Sequence, residues 1–131
     1  MIAFDTNMLV RLVVDDMPQQ AEVAQDLLKI NRVFLSRTVL LETEWVLRSV
    51  YQLSRERIHA FFRLMLQAEN AVIEDELNIS RALAWYQQGA DFADALHLAA
   101  CGDAVMHTFD QGFCKAARRE GVRPEVRVWK V

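Results

Sequence analysis

The apolar and polar positions alternate between two periods along the chain, and each switch predicts an element boundary. Met1 to Phe4 is a short apolar run that ends abruptly in Asp5, which reads as a buried strand. Met8 to Val14 is compatible with a helix, and Asp15-Asp16-Met17-Pro18 breaks it. Pro18 suits the first turn of a second helix, with Asp16 as its cap and Ala21, Ala24, Leu27 and Leu28 at helical spacing through Ile30. Val33 to Leu35 is β-like. From Val39 to Tyr51 the spacing fits a helix, with Leu41 and Trp45, then Val46 and Val50, as its apolar pairs. Ser54 caps a helix to about Ala68 whose inner face is Ile58, Phe61, Phe62 and Met65.

Ala71 to Ile73 reads as a third strand. A helix follows from Glu76 to Tyr86, ended by Gly89, and another from Phe92 to Cys101, ended by Gly102. Val105 to Phe109 is a fourth strand, Phe113 to Glu120 a helix, and Val126 to Trp129 a last short strand. Strands alternating with helices predict an α/β fold with a central parallel sheet of four or five strands, helices covering both faces. At 131 residues the chain is expected to be a single domain, 1–131, large enough to bury a core.

Composition changes this picture little. Gly and Pro are scarce, which argues against disorder and linkers. The net charge of −3 mildly opposes a nucleic-acid partner, unless clustered carboxylates hold cations. Cys101 and Cys114 form no C-x-x-C pair, so reduced, buried thiols are expected. No basic segment precedes an apolar stretch at the amino terminus, and no run approaches a membrane span. A small, soluble, cytoplasmic domain without a signal peptide is the expectation.

Four acids stand out by placement. Asp5 follows the first strand and Asp110 the fourth, both at the carboxyl edge where open α/β sheets bind ligands. Glu42 and Asp94 lie in helices among apolar neighbours, where an acid is usually paired or metal-bound because an isolated buried charge is costly. Hard divalent cations, Mg²⁺ or Mn²⁺, relieve repulsion among such carboxylates, bridge to phosphate and activate water. Metal-assisted phosphodiester hydrolysis is the chemistry this set suggests. Each acid taken singly is more often a cap or a solvated residue: Asp5 or Asn7 suits a cap of the next helix, and for Asp91, three residues before Asp94, the cap is preferred. Glu44, four residues before Arg48, reads as a surface ion pair.

The segment Ile2-Ala3-Phe4-Asp5-Thr6-Asn7-Met8-Leu9-Val10-Arg11 resembles the opening of PIN-domain ribonucleases, particularly VapC-type toxins of toxin–antitoxin pairs. Glu42-Thr43-Glu44-Trp45-Val46-Leu47-Arg48 is similar to their second motif, Asp91-Phe92-Ala93-Asp94-Ala95-Leu96-His97 to the third, and Thr108-Phe109-Asp110-Gln111-Gly112-Phe113 to the fourth. The motifs stand in family order across essentially the whole chain. The resemblance implies a three-layer α/β/α fold and a Mg²⁺-dependent endoribonuclease, with Mn²⁺ as a substitute ion. Asp5, Glu42, Asp94 and Asp110 would be the ligands. It also implies an RNA substrate (tRNA, rRNA or mRNA), a cognate antitoxin and a homodimer. Thr6, Asn7 and Thr108 match polar positions that would orient carboxylates or the metal's waters, and Asp91 is placed for the same work.

Lys115, Arg118, Arg119, Arg123, Arg127 and Lys130 crowd the carboxyl end, either to contact RNA backbone or as an ordinary solvated face. Arg11 is placed to reach phosphate or a protein partner. His97 and Trp45 are read as core or interface residues. Two other phosphoryl-handling folds fit poorly. Arg11 to Asp16 looks locally like a receiver domain's acidic pair, but no Asp lies between Asp26 and Asp75 for a phosphoacceptor. A haloacid-dehalogenase-type phosphatase needs a second Asp where Asn7 stands. The alternative function is a PIN-fold binding module without efficient catalysis.

Overall fold

A computed structural model describes residues 1–118 and 123–131. They fall into two compact units, Met1–Glu76 and Leu77–Val131. In the first, β1 (Ile2–Ala3), β2 (Val33–Leu35) and β3 (Ala71–Ile73) form a parallel sheet in the order β1-β2-β3, with Ile2 beside Val33 and Val33 beside Ala71. Parallel pairing demands crossovers. These are supplied by α1 (Thr6–Arg11) and α2 (Pro18–Ile30) between β1 and β2, then α3 (Arg37–Ser49) and α4 (Arg55–Gln67) between β2 and β3. Leu9, Val33, Leu35, Leu40, Leu47 and Ile58 are completely or almost completely buried there.

In the second unit, α5 (Glu76–Gln87, its first residue in the other unit) and α6 (Phe92–Ala99) precede β4 (Met106–Thr108), a 3₁₀ turn (Lys115–Arg118) and β5 (Val126–Val128). Strands β4 and β5 form a separate two-stranded parallel sheet. Ala82, Trp85, Ala95, Leu98, Phe113 and Cys114 belong to its core cluster. The α/β class and parallel pairing agree with expectation. Among the described residues, three strands pair in the first unit and two in the second.

Several boundaries are corrected. Helix α1 begins at Thr6, because Asp5 caps it with its Oδ1 accepting from the Met8 N–H at 3.0 Å, and it ends at Arg11 with Leu12 as C-cap. The N-cap of α2 is Met17 with no side-chain bond, not Asp16, whose carboxylate is instead engaged by Arg11. Phe113 to Arg118, the described part of the expected helix Phe113 to Glu120, is not α-helical. Cys114 has φ of +41°, which interrupts helical geometry, and the 3₁₀ turn Lys115–Arg118 follows. Arg119 and Glu120 lie outside the described residues.

The inner face of α3 also differs. Leu40, Thr43, Glu44 and Leu47 are buried at spacings of three and four, whereas Trp45 is 55% exposed and Val50 is exposed. Two polar residues on the buried stripe hide it from an apolar count. Both are satisfied. Thr43 Oγ1 donates to the Val39 carbonyl at 2.7 Å, and Arg48 Nε donates to Glu44 Oε2 at 2.8 Å. The expected Glu44–Arg48 ion pair is present, but its acid is buried, 2% exposed, rather than at the surface. Among the described residues, no helix is long and apolar enough to cross a membrane.

Candidate active site

The first unit positions Asp5 and Glu42. Asp5 sits one residue beyond buried Phe4 and is exposed at the carboxyl end of β1. Capping uses its Oδ1, which fixes the carboxylate at the start of α1 and leaves Oδ2 as its second acceptor. Thr6 is buried, and its hydroxyl donates a hydrogen bond to Glu42 Oε1. One residue after Asp5, the chain thus holds the α3 acid in a fixed direction. Glu42 is exposed, contrary to the expectation of a buried acid, because α3 turns its 40/43/44/47 stripe inward. Asn7 is exposed beside Asp5.

Arg11, one candidate for phosphate contact, is already engaged. It is ion-paired with Asp16, and its Nη2 donates to the Tyr51 hydroxyl at 3.2 Å. Tyr51 in turn donates to Asp16 Oδ2 at 3.3 Å, closing a ring between α1, the following loop and the end of α3. The Tyr51 bond, more than the Asp16 charge, holds the guanidinium pKa above its ordinary value.

The second unit positions Asp91, Asp94 and Asp110. Asp91 is the N-cap of α6, as preferred from sequence: its Oδ1 accepts from the Asp94 N–H at 2.9 Å. Phe92, buried and edge-on to Tyr86 at 5.3 Å, anchors the same turn. Asp110 leaves β4 in a tight turn. Its N–H donates to Thr108 Oγ1 at 3.0 Å, and its Oδ1 accepts from the Gly112 N–H at 2.8 Å. A Cβ at Gly112 would lie 3.3 Å from that oxygen, so glycine permits the close approach. The part played by Gly112 is absent from the sequence reading, although Asp-x-Gly is a recognisable side-chain-to-backbone turn.

Burial, then the charges of Asp91 and Asp110, raise the Asp94 carboxyl above its usual value, while His97 opposes the shift. Ionised Asp94 therefore costs stability: the loss grows as pH rises from the unfolded carboxyl value and is complete above the folded one. A bound cation would offset that cost. His97 is exposed rather than a core residue.

Among the described residues, no three His, Cys, Asp or Glu side chains gather closely enough to hold a metal by themselves. Within one unit Asp5 stands next in sequence to Thr6, which is bonded to Glu42, and within the other Asp94 is in electrostatic reach of Asp91 and Asp110. The donor chemistry suits Mg²⁺ or Mn²⁺, since every candidate ligand is a hard carboxylate oxygen. The thiol nearby does not. Burial first, then the charges of Asp94 and Asp91, pushes the Cys114 pKa up to about 12.

At pH 8 Cys114 is then held almost entirely as the thiol. Cys101 is only partly buried. Iodoacetamide should modify native protein once, at Cys101, and twice after unfolding, as read by peptide mass. Comparable native labelling of Cys114 would contradict the buried, acid-flanked placement.

Residues 2–119 match the sequence model of the PIN domain family, a span that reaches into both units and includes all four acids. No curated protein matches the chain.

Proposed function

This chain belongs to the PIN domain family, and on that premise we propose that it is a divalent-metal-dependent endoribonuclease, the VapC-type toxin of a toxin–antitoxin pair. PIN domains are generally nucleases, so the coarse class is a hydrolase acting on nucleic acid, and they typically use divalent metals. The finer reading rests on one observation above others. The buried Thr6 hydroxyl, adjacent in sequence to Asp5, is spent on orienting the exposed carboxylate of Glu42. A hydroxyl aiming an acid outward contributes little to a core and much to a ligand.

Asp5, Glu42, Asp94 and Asp110 would hold Mg²⁺ or Mn²⁺. Bound there, the cation would neutralise the carboxylates, acidify a water and offset charge developing at phosphorus. The protein's own groups fix its ligands: the α1 cap holds Asp5, Thr6 aims Glu42, the α6 cap holds the turn carrying Asp94, and Thr108 with Gly112 holds Asp110. A cytoplasmic location, a cognate antitoxin and a homodimer belong to the same proposal. The exposed indole of Trp45 on α3 suits contact with such a protein partner.

The test is cleavage of total cellular RNA by purified protein in Mg²⁺, Mn²⁺ or EDTA, with the ends mapped. Discrete products that need the metal are expected. Either ion should also raise the melting temperature, since it binds only the folded state. RNA binding without metal-dependent products would leave the binding-module alternative.

A further inference from the structure

Strands β4 and β5 pair in register, His107 beside Arg127 and Thr108 beside Val128, so the two strands alternate together between faces. Met106, Thr108, Val126 and Val128 are partly buried, whereas His107, Phe109, Arg127 and Trp129 are exposed. Phe109 is 75% exposed and Trp129 48%. Single exposed aromatics are common on protein surfaces. Here His107 on β4 and the residues that immediately follow the two strands, Phe109 and Trp129, are exposed at one end of a two-stranded sheet.

The rings are also arranged. Trp129 Nε1–H donates to His107 Nδ1 at 2.8 Å, with ring planes 20° apart and centroids separated by 5.9 Å. An indole N–H and an imidazole lone pair both lie in their ring planes. The bond therefore joins the heterocycles edge to edge as one nearly flat surface, wider than either alone. The Trp129 backbone N–H on the Thr108 carbonyl, at 2.9 Å, fixes the register of this pair. Arg127 and Lys130 bring exposed cations to the same strand and its end, with one exposed acid, Glu125, 3.3 Å from Arg127. Strand β4 runs through Phe109 directly into Asp110.

We propose that this face is a stacking platform for unpaired nucleotides of the substrate, presented beside Asp110. The proposal takes its ligand from the nuclease reading above. Flat π surfaces accept any unpaired base, cations beside them meet the phosphates, and neither feature needs a sequence code. In an A-form duplex the bases are stacked inside and closed to such a surface. The occupant that fits is single-stranded.

The experiment is fluorescence anisotropy of the full chain with a labelled single-stranded oligoribonucleotide of about ten nucleotides, in EDTA so that binding is read without cleavage. Trp129→Ala and Phe109→Ala should each weaken binding by on the order of tenfold, the effect expected from losing one base–aromatic stack. Trp129→Phe and Phe109→Tyr should retain most of the affinity, and Leu64→Ala, at an exposed position of α4, should leave it unchanged. Binding to a duplex of the same length should not respond to Trp129→Ala.

Alanine variants within twofold of wild type, or no oligonucleotide binding by wild type, overturn the platform. So does unchanged affinity with a lost dimer by light scattering, which would make the face an interface between copies. Aromatic-dependent binding by a chain that never cleaves would keep the platform and remove the nuclease reading. Metal-dependent cleavage with unaffected binding would do the reverse.

Discussion

Asp5→Asn leaves the fold standing and lowers RNA cleavage by at least about a hundredfold. The magnitude follows from ligand support: losing a residue that merely orients a metal ligand typically costs about 10- to 100-fold, and losing a ligand's charge should cost no less. The stability half follows from the cap. Asn and Asp are nearly equivalent N-cap residues, and the amide oxygen can still accept from the Met8 N–H that Asp5 Oδ1 now engages at 3.0 Å. Asp5→Ala differs because the cap goes as well, at about 1 kcal/mol. Cleavage assays paired with thermal melts on both variants separate the roles. Equal activity of Asp5→Asn and wild type would sink the catalytic assignment. A melting temperature lowered as much by Asn as by Ala would show that the cap is not what Asp5 contributes.

Phe92→Ala has the largest expected effect on stability. Phe92 is buried, lies edge-on to Tyr86 at 5.3 Å and directly follows the Asp91 cap. Truncating a buried phenyl ring costs about 3–5 kcal/mol through lost burial and the cavity left behind. For a chain of this size that is a melting temperature lower by roughly 10–20 °C. Phe92→Leu fills much of the volume and should recover more than half of the loss. The ring also anchors the turn that presents Asp91 and Asp94. Metal-induced stabilisation should therefore shrink in Phe92→Ala even at temperatures where it remains folded. An unchanged metal response in the folded variant would separate core packing from acid placement.

Much of this is legible in the chain. The α4 face of Ile58, Phe61, Phe62 and Met65 is buried as its spacing implies, β3 has the expected bounds, and Asp91 caps α6. These succeed because local periodicity and cap chemistry decide them. Expectation fails where tertiary contacts override local pattern. On α3 the buried stripe includes Thr43 and Glu44, made tolerable by the Val39 carbonyl and by Arg48, so hydrophobicity alone selects the wrong face. That choice reverses the environments of Glu42 and Glu44. Asp16 looks like a cap in sequence, but Arg11 and Tyr51, the latter 35 residues away, engage it instead.

The candidate site is legible as a set of residues and not as geometry. Carboxylates at strand ends advertise themselves. The groups that hold them do not: nothing in the spacing of Thr6 and Glu42, 36 positions apart, announces a hydrogen bond. The exposed aromatic face has a readable signal, the period-two alternation of His107 with Phe109 and of Arg127 with Trp129. A count of apolar strand residues passes over it, because such a count registers the inward positions and ignores the chemistry of the outward ones.

The capping bond of Asp5 also bears on how such a gene can decay. Asp and Asn codons differ by a single transition at the first base, and the cap tolerates either side chain. One of the most accessible silencing mutations therefore yields a chain that folds, accumulates and evades quality control. If the chain is the toxin proposed above, a population under pressure to disarm it would be expected to carry full-length, well-folded Asp5→Asn alleles alongside frameshifts and deletions. Such alleles would still present every protein-binding surface of the parent.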